Sequence, residues 1–155
     1  MHTYRMFGLI VALALLSGSL AAGQQKATFG APITVKEADA VGFARVQGQP
    51  SSLEGQTIRV DGKVSVIGTK HTCWFAFIGT GGSDYGVPVF VRTDPCNVAF
   101  PKAIVGQVVT VQGVMMPLRL DPDPAVKDVA AEYGQSEIGG ALPLWELKAT
   151  GVVVK

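Results

Sequence analysis

Three residues in this chain carry side chains that could do nucleophilic or metal chemistry together: His71, Cys73 and Cys96. The chain has only two cysteines and two histidines, and the other histidine, His2, stands at the very start. Two thiols that meet in an oxidising compartment form a disulfide. Two thiolates with an imidazole nitrogen could instead bind zinc or Cu(I), and one thiolate beside an imidazole is the pair that a thiol-dependent enzyme uses.

The residue types leave these alternatives open. A disulfide between Cys73 and Cys96 would close a loop of about 24 residues and stabilise the fold by about 3 kcal/mol in the chain-entropy model. A metal site would use His71, Cys73 and Cys96 to hold copper or zinc, without the Cys-x-x-Cys pairs of most zinc sites. Two separate buried thiols are the third alternative. A thiol-dependent enzyme ranks last, because a thiol near a second cysteine would not stay free, so we expect no enzymatic activity and no cofactor.

The first 23 residues have the layout of a secretory signal peptide. A short start with one positive charge, Met1–Arg5, precedes an apolar run, Phe7–Leu16, and small residues follow at Ser17–Gly23. The apolar run is about 10 residues, half of the roughly 20 that a membrane-spanning helix needs. We therefore predict cleavage after Ala21 or Gly23, no membrane span afterwards, and a periplasmic or secreted protein.

The charge balance limits the class of partner. The 13 Lys and Arg residues nearly equal the 12 Asp and Glu residues, and a surface without net positive charge argues against nucleic acid as a partner. Phosphate-loop, calcium-loop and nucleophile-elbow motifs are absent from the sequence, which also argues against an enzyme. Residues 24–155 are the right length for a single domain.

The elements that must position the three reactive residues are strands. Residues 53–64 and 104–115 share one pattern, apolar-x-Gly-Gln followed by an alternating strand and a glycine. In the first copy the apolar positions lie on one face in period two: Ile58, Val60, Val64 and Val66. Gly62 and its counterpart Gly113 lie where a small closed sheet must bend sharply. Two copies are too few for a solenoid, so we predict two coiled strands of one barrel.

The remaining elements complete an all-β, five-stranded, OB-fold-like Greek-key barrel with one or two short helices. The runner-up is another small all-β barrel or sandwich. Further strands are predicted at three places: Cys73–Ile78, Val87–Thr93 and Trp145–Val154. A polar insertion at 117–143 contains a predicted helix at Pro124–Tyr133, with Asp123 as its N-cap and Gly134 after its end. The N-terminal extension, 24–52, contains a weaker helical segment at Thr34–Val46.

The predicted hairpin between the second and third strands brings the reactive residues together. With the loop centred near residue 82 or 83, Cys73 faces the Arg92–Thr93 region across the hairpin. Cys96 lies a few residues beyond that strand end. His71, Cys73 and Cys96 are therefore expected at one end of the barrel, within the reach of about 7 Å between Cα atoms that a disulfide requires.

A second candidate site lies on the same two strands. In OB-folds this face often binds oligonucleotides or oligosaccharides through exposed aromatic side chains. The ligand-face candidates here are Trp74, Phe90 and Arg92, and the alternative is that the aromatic residues fill the barrel. The sequence thus predicts an exported, non-enzymatic binding or accessory protein. Its partner would be a small molecule, glycan, peptide or protein.

Four short motifs are shared with a known group of sequences: Phe29–Ile33, Gly55–Val64, Cys73-Trp74, and Pro101-Lys102 ahead of Gly106. They resemble an uncharacterised family of exported bacterial domains, a domain-of-unknown-function family related to OB-fold proteins. The resemblance extends from Phe29 to Val154 and implies the compartment and the fold, with no established activity. In that family a first cysteine usually stands five residues before Cys-Trp. The matching residue here is Gly68, and the resemblance implies that Cys96 replaces it as the partner of Cys73.

Overall fold

The computed structural model describes residues 26–81, 88–118, 124–134 and 145–155. The predicted signal peptide, Val87 and Asp123 lie outside these residues. Six strands are present: β1 Thr28–Gly30, β2 Thr57–Ile67, β3 Trp74–Ile78, β4 Val89–Thr93, β5 Val108–Pro117 and β6 Trp145–Val154. The two α-helices are α1 Phe43–Gly48 and α2 Pro124–Gly134. Within the described ranges, 3-10 turns lie at Glu37–Asp39, Pro50–Leu53 and Lys102–Ile104. Among the described helices, none is long and apolar enough to cross a membrane.

Five of the strands close into a barrel. The pairing runs from β2 to β3, β4, β6 and β5 and returns to β2, and only the β4–β6 pair is parallel. This confirms the predicted all-β, five-stranded, OB-fold-like barrel. The interior is filled by alternate residues of each strand, including Val60, Phe75, Val91, Val111 and Leu147.

The two segments with the repeated pattern are neighbours in the barrel. Strands β2 and β5 pair antiparallel, with Val60 opposite Val111 and Ile58 opposite Gly113. A Cβ atom at Gly62 would overlap the ring of Phe77 on β3, and one at Gly113 would overlap the backbone of β6. Both glycines therefore permit a close approach that any larger residue would block.

The end of β2 differs from the sequence prediction. The alternation was expected to continue through Val66 on the inner face, but the register with β3 shifts between Val64 and Val66. This bulge places Ile67 in the barrel core and leaves Val66 against a second apolar cluster on the outside of the barrel. An extra residue in one strand reverses the faces of all residues beyond it.

The sixth strand, β1, was missing from the prediction. Thr28–Gly30 pairs antiparallel with the second half of β6, where Thr28 lies opposite Val153. Strand β4 covers β6 only from Glu146 to Ala149, so the rest of that edge is open to another strand. A strand of three residues has too few positions to show an alternating pattern.

The β3–β4 hairpin has nearly the predicted register. Trp74 lies opposite Arg92, and Phe77 opposite Val89, within one residue of the expected pairing. Pro88 stands immediately before β4, which has β3 on one side and β6 on the other. The proline precedes the strand and so removes no hydrogen bond from its ladder.

Candidate functional site at the disulfide end of the barrel

Cys73 and Cys96 are joined by a disulfide, with their Cα atoms 5.2 Å apart. Cys73 directly precedes β3, and its carbonyl accepts a hydrogen bond from the amide of Thr93 at the end of β4. This contact sets the position of the segment after β4, which carries Cys96 back to Cys73. Cys73 is buried whereas Cys96 is exposed. The chain's two cysteines are both used, so neither thiol is free.

The β2–β3 loop, residues 68–73, is held by a residue that the sequence analysis did not single out, Glu132 of α2. Three successive backbone amides of this loop donate to its carboxylate: Thr69 at 2.5 Å, Lys70 at 2.6 Å and His71 at 3.1 Å. Successive amides that converge on one point form a concavity suited to an anion. The carboxylate of Glu132 occupies that concavity, although Glu132 lies 61 to 63 positions after these three loop residues.

Three side chains complete the ring of donors around Glu132. The hydroxyl of Thr69 donates across 2.9 Å and the indole nitrogen of Trp74 across 3.1 Å. Nδ1 of His71 lies 3.1 Å from Oε2 of Glu132. An ionised carboxylate can only accept hydrogen bonds, so the ring nitrogen that faces it carries the proton. The protonated Nδ1 of His71 therefore donates a hydrogen bond to the carboxylate of Glu132.

The hydrogen bonds keep Glu132 ionised in a partly buried position. Burial alone raises the pKa of Glu132, but the hydrogen bonds from Lys70, Trp74, Thr69 and His71 outweigh it and lower the pKa from 4.5 to about 2. The side chain is only 12% exposed. A charge in such a place is stable because several donors replace the water that it loses.

Helix α2 packs on the outer face of β3 and β4. Its buried residues recur at the spacing of one helical face: Val126, Val129, Ala130 and Tyr133. The ring of Tyr133 lies 5.8 Å from that of Trp74 and 5.3 Å from that of Phe90. Burial raises the pKa of the Tyr133 hydroxyl. The helix and the strand face thus form one apolar cluster, separate from the barrel interior.

This packing overturns the prediction of an exposed aromatic platform. Trp74, Phe90 and Arg92 are each only 1% exposed. Strand alternation does send them away from the barrel interior, as a ligand-binding face requires. The hypothesis of an exposed face is wrong because a helix from the insertion covers it.

Arg92 has a buried acidic partner. Its Nε donates to Oε2 of Glu146 across 2.5 Å and its Nη2 to Oε1 across 3.2 Å, and Glu146 is fully buried. Two parallel hydrogen bonds between a guanidinium and a carboxylate are the strong form of this pair. Asp94 lies 3.7 Å from Nη1 of Arg92 and also pairs with Lys148. As a ligand-face candidate, Arg92 therefore already has a carboxylate partner.

The geometry also bears on the metal alternative at His71, Cys73 and Cys96. The disulfide leaves neither sulfur available as a thiolate ligand. In the part of the chain that the structure describes, no group of three or more His, Cys, Asp and Glu side chains could hold a metal ion. Copper or zinc on these residues would first require reduction of the disulfide.

Gly68 explains why the cysteine of the resembling family has no place here. A Cβ atom at Gly68 would overlap the carbonyl oxygen of His71 and the indole of Trp74. The space that a side chain would need is filled by the tryptophan that binds Glu132. In this chain Cys73 is bonded to Cys96.

Two acidic residues of the site were missed, Glu132 and Glu146. Glu132 directly precedes Tyr133 on the predicted helix, so it borders the apolar stripe at Val126, Val129, Ala130 and Tyr133. That position is the one available signal, since side chains beside an apolar stripe lie near the packed surface. Glu146 lies in a predicted strand, and its partner on β4 could not be inferred without the β4–β6 pairing.

Comparisons with known proteins add little to this site. No protein-family model and no curated protein match the chain. One similar solved structure, described as an aspartyl-tRNA synthetase from Leishmania major, has 13% identity and a TM-score of 0.40 over 81% of this chain. The chain spans 23% of that protein's length. A DUF3299 family protein from Pseudomonas aeruginosa PAO1 has 14% identity and a TM-score of 0.40, covering 85% of this chain and 89% of that one. Neither likeness is close enough to support an argument about function.

Proposed function

We propose that the protein is an exported, non-enzymatic binding protein whose reactive side chains hold the barrel together. The proposal rests on how the three potentially reactive residues, His71, Cys73 and Cys96, are bonded. Cys73 and Cys96 form one bond, and His71 faces the ionised carboxylate of Glu132. A thiol-dependent enzyme needs a free thiolate beside its base. The contacts of His71 with Glu132 support a role in stabilising the β2–β3 loop, in preference to a role in catalysis.

Export is supported by two independent features. The first 23 residues have the charge and apolar pattern of a cleaved leader. A disulfide between residues far apart in sequence persists in oxidising compartments and is rare in the cytosol. The motifs shared with an exported domain-of-unknown-function family agree with this location. We therefore place the mature protein in the periplasm or outside the cell.

The OB-fold-like barrel supports the binding role. A closed barrel fixed by a disulfide is a rigid support, and rigid supports lower the entropy cost of binding. Because α2 covers the outer face of β3 and β4, a ligand must contact another surface or displace α2. The ligand classes remain a small molecule, a glycan, a peptide or a protein.

Export is tested by expressing the full chain, leader included, in bacteria and fractionating the cells. We expect the protein in the periplasmic fraction with residues 1–21 or 1–23 removed. Its intact mass should show the loss of hydrogen that accompanies one disulfide, with no thiol available for alkylation after denaturation. A full-length cytosolic chain with both thiols alkylated would contradict export.

The non-enzymatic role is tested by thiol–disulfide exchange, with insulin reduction by dithiothreitol as the assay. We expect the wild type and the Cys73→Ser/Cys96→Ser variant to give the same rate as no added protein. Faster reduction by the wild type alone would overturn the proposal in favour of a thiol-dependent enzyme. In parallel, the reduced protein is refolded with zinc or copper. Stoichiometric metal that is retained by the wild type and lost in Cys96→Ser would favour the metal-binding alternative.

A further inference from the structure

An open cavity of about 320 Å³ lies on the outer side of the barrel formed by β2, β5 and β6. Its floor is made by residues that face outward from the three strands, with Thr110 of β5 opposite Val153 of β6. Its wall comes from the segment that precedes the barrel. The lining residues are Lys26, Ile33, Glu37, Arg59, Thr110, Val153 and Lys155. Ligand pockets in proteins begin at about this volume.

The wall of the cavity is fixed by hydrogen bonds to the strands. Oε1 of Gln112 accepts from the backbone amides of Thr34 and Val35, at 2.8 and 2.7 Å. Nη1 of Arg59 donates to the carbonyl of Val35 across 3.2 Å. These contacts hold the segment across β2 and β5, so the cavity is present before any ligand arrives.

Positive charge predominates among the lining side chains. Lys26, Arg59 and Lys155 line the cavity, and Glu37 is the acidic residue among the lining side chains. Lys155 already pairs with Asp61, whose other oxygen accepts from Thr110. Burial raises the pKa of Asp61, but the hydrogen bonds from Lys155 and Thr110 outweigh it and keep the carboxyl ionised. Because Lys155 is paired with Asp61, the lining cations that remain for a ligand are Lys26 and Arg59.

Arg59 has an incompletely satisfied guanidinium. Its Nε is buried and has no hydrogen-bond partner. Its Nη2 lies 3.8 Å from Oε2 of Glu37, beyond hydrogen-bond distance, and Glu37 itself is 83% exposed. A guanidinium nitrogen beside an exposed carboxylate, as Nη2 is, can donate a charge-assisted hydrogen bond to a carboxylate or phosphate.

We propose that this cavity binds a small molecule through a phosphate or carboxylate group, with Arg59 as the principal contact and Lys26 as a second cation. The inference rests on the proposed binding function and names its ligand class. An oxyanion would displace the exposed Glu37 from the guanidinium and accept a hydrogen bond from Nη2. The hydroxyl of Thr110 and the apolar side chains of Ile33 and Val153 would contact the rest of the ligand.

The test is a titration of isotope-labelled protein with inorganic phosphate and with glycerol 3-phosphate, followed by amide chemical shifts. Glycerol at the same concentrations is the neutral control, and sodium chloride controls for ionic strength. We expect saturable shifts at the amides of Lys26, Arg59 and Thr110 with both phosphates and with neither control. Shifts that grow linearly, or that sodium chloride reproduces, would overturn the proposal.

Matched variants separate the contact from general charge. Arg59→Gln should weaken phosphate binding at least about tenfold, because it removes the guanidinium charge and its hydrogen bond. Lys26→Gln should weaken phosphate binding about threefold, as expected for an exposed cation. The substitution should not disturb the fold, because Lys26 forms no ion pair with the described residues. Lys102→Gln removes an exposed charge elsewhere and should leave the affinity unchanged. Equal affinity in Arg59→Gln and Lys102→Gln would contradict the assignment.

The two proposals fail differently. If phosphate does not bind, but a neutral oligosaccharide or a peptide gives saturable shifts elsewhere, the anion site is wrong and the binding function stands. If the wild type accelerates thiol exchange, the non-enzymatic function is wrong whatever phosphate does.

Discussion

The indole nitrogen of Trp74 donates a hydrogen bond to the carboxylate of Glu132 across 3.1 Å, although the two residues are 58 positions apart. This bond joins the outer face of β3 to helix α2. The same carboxylate binds the backbone of the β2–β3 loop, so one side chain fixes the helix, the loop and the tryptophan. The face that OB-folds often offer to ligands is thereby occupied by the chain's own helix.

Replacing Glu132 should destabilise the protein. In Glu132→Gln the ionised acceptor is lost and an NH₂ group is brought against a ring of donors, so we expect a loss of about 2–3 kcal/mol in the free energy of unfolding. Urea denaturation measures it. Asp128→Asn, on the exposed side of the same helix, should change stability by less than about 0.5 kcal/mol. Equal effects of the two variants would contradict the role of Glu132.

The stability of the protein should depend on pH through Glu132. Its pKa in the folded state, about 2, is below its ordinary value of 4.5, so the unfolded chain binds the proton more readily. The contribution of ionised Glu132 to the free energy of unfolding is therefore complete above pH 4.5 and is lost as the pH falls from there towards 2. This contribution is on the order of 3 kcal/mol.

Unfolding curves across this pH range check the effect. The difference in stability between wild type and Glu132→Gln should shrink as the pH is lowered through the range. A difference that stays constant down to the lowest pH would show that the carboxylate does not titrate as described.

The disulfide should contribute about 3 kcal/mol to stability. Cys73→Ser/Cys96→Ser should lower the free energy of unfolding by about that amount, because the unfolded chain regains the freedom that the crosslink removed. Calorimetry or urea denaturation, with and without reductant, measures the change. Reductant should lower the stability of the wild type and leave the double variant unaffected. If both proteins respond equally to reductant, the bond is not the source of the difference.

Gly68 should tolerate no side chain. Gly68→Ala places a methyl group against the carbonyl of His71 and the indole of Trp74, so we expect a loss of about 1–3 kcal/mol in unfolding free energy. Gly42→Ala is the matched control, because a Cβ atom there has no neighbour within 4 Å. Gly42 also has φ −63° and ψ 139°, which alanine adopts freely. A Gly68→Ala protein as stable as Gly42→Ala would mean that the loop can move away from β3.

The barrel could be predicted because its strands carry their own pattern. Alternation on β2 and β5 identified both strands, and the position of the β3–β4 loop set which residues of the hairpin face each other. Strand β1 could not be predicted, because three residues are too few to show a period. The bulge after Val64 could not be predicted either, because an extra residue is defined only against the partner strand.

Alternation along β3 and β4 identified Trp74, Phe90 and Arg92 as candidates for one face of the sheet. The sequence also placed Cys73 and Cys96 within reach of each other, since both follow from local spacing along two strands. What covers that face became visible only when the strands and α2 were seen packed together. Glu132 reaches it from a helix, 58 positions after Trp74, and no local pattern contains such a contact. Alternation sorts residues between two faces of a sheet, but the burial of the outer face depends on the rest of the chain.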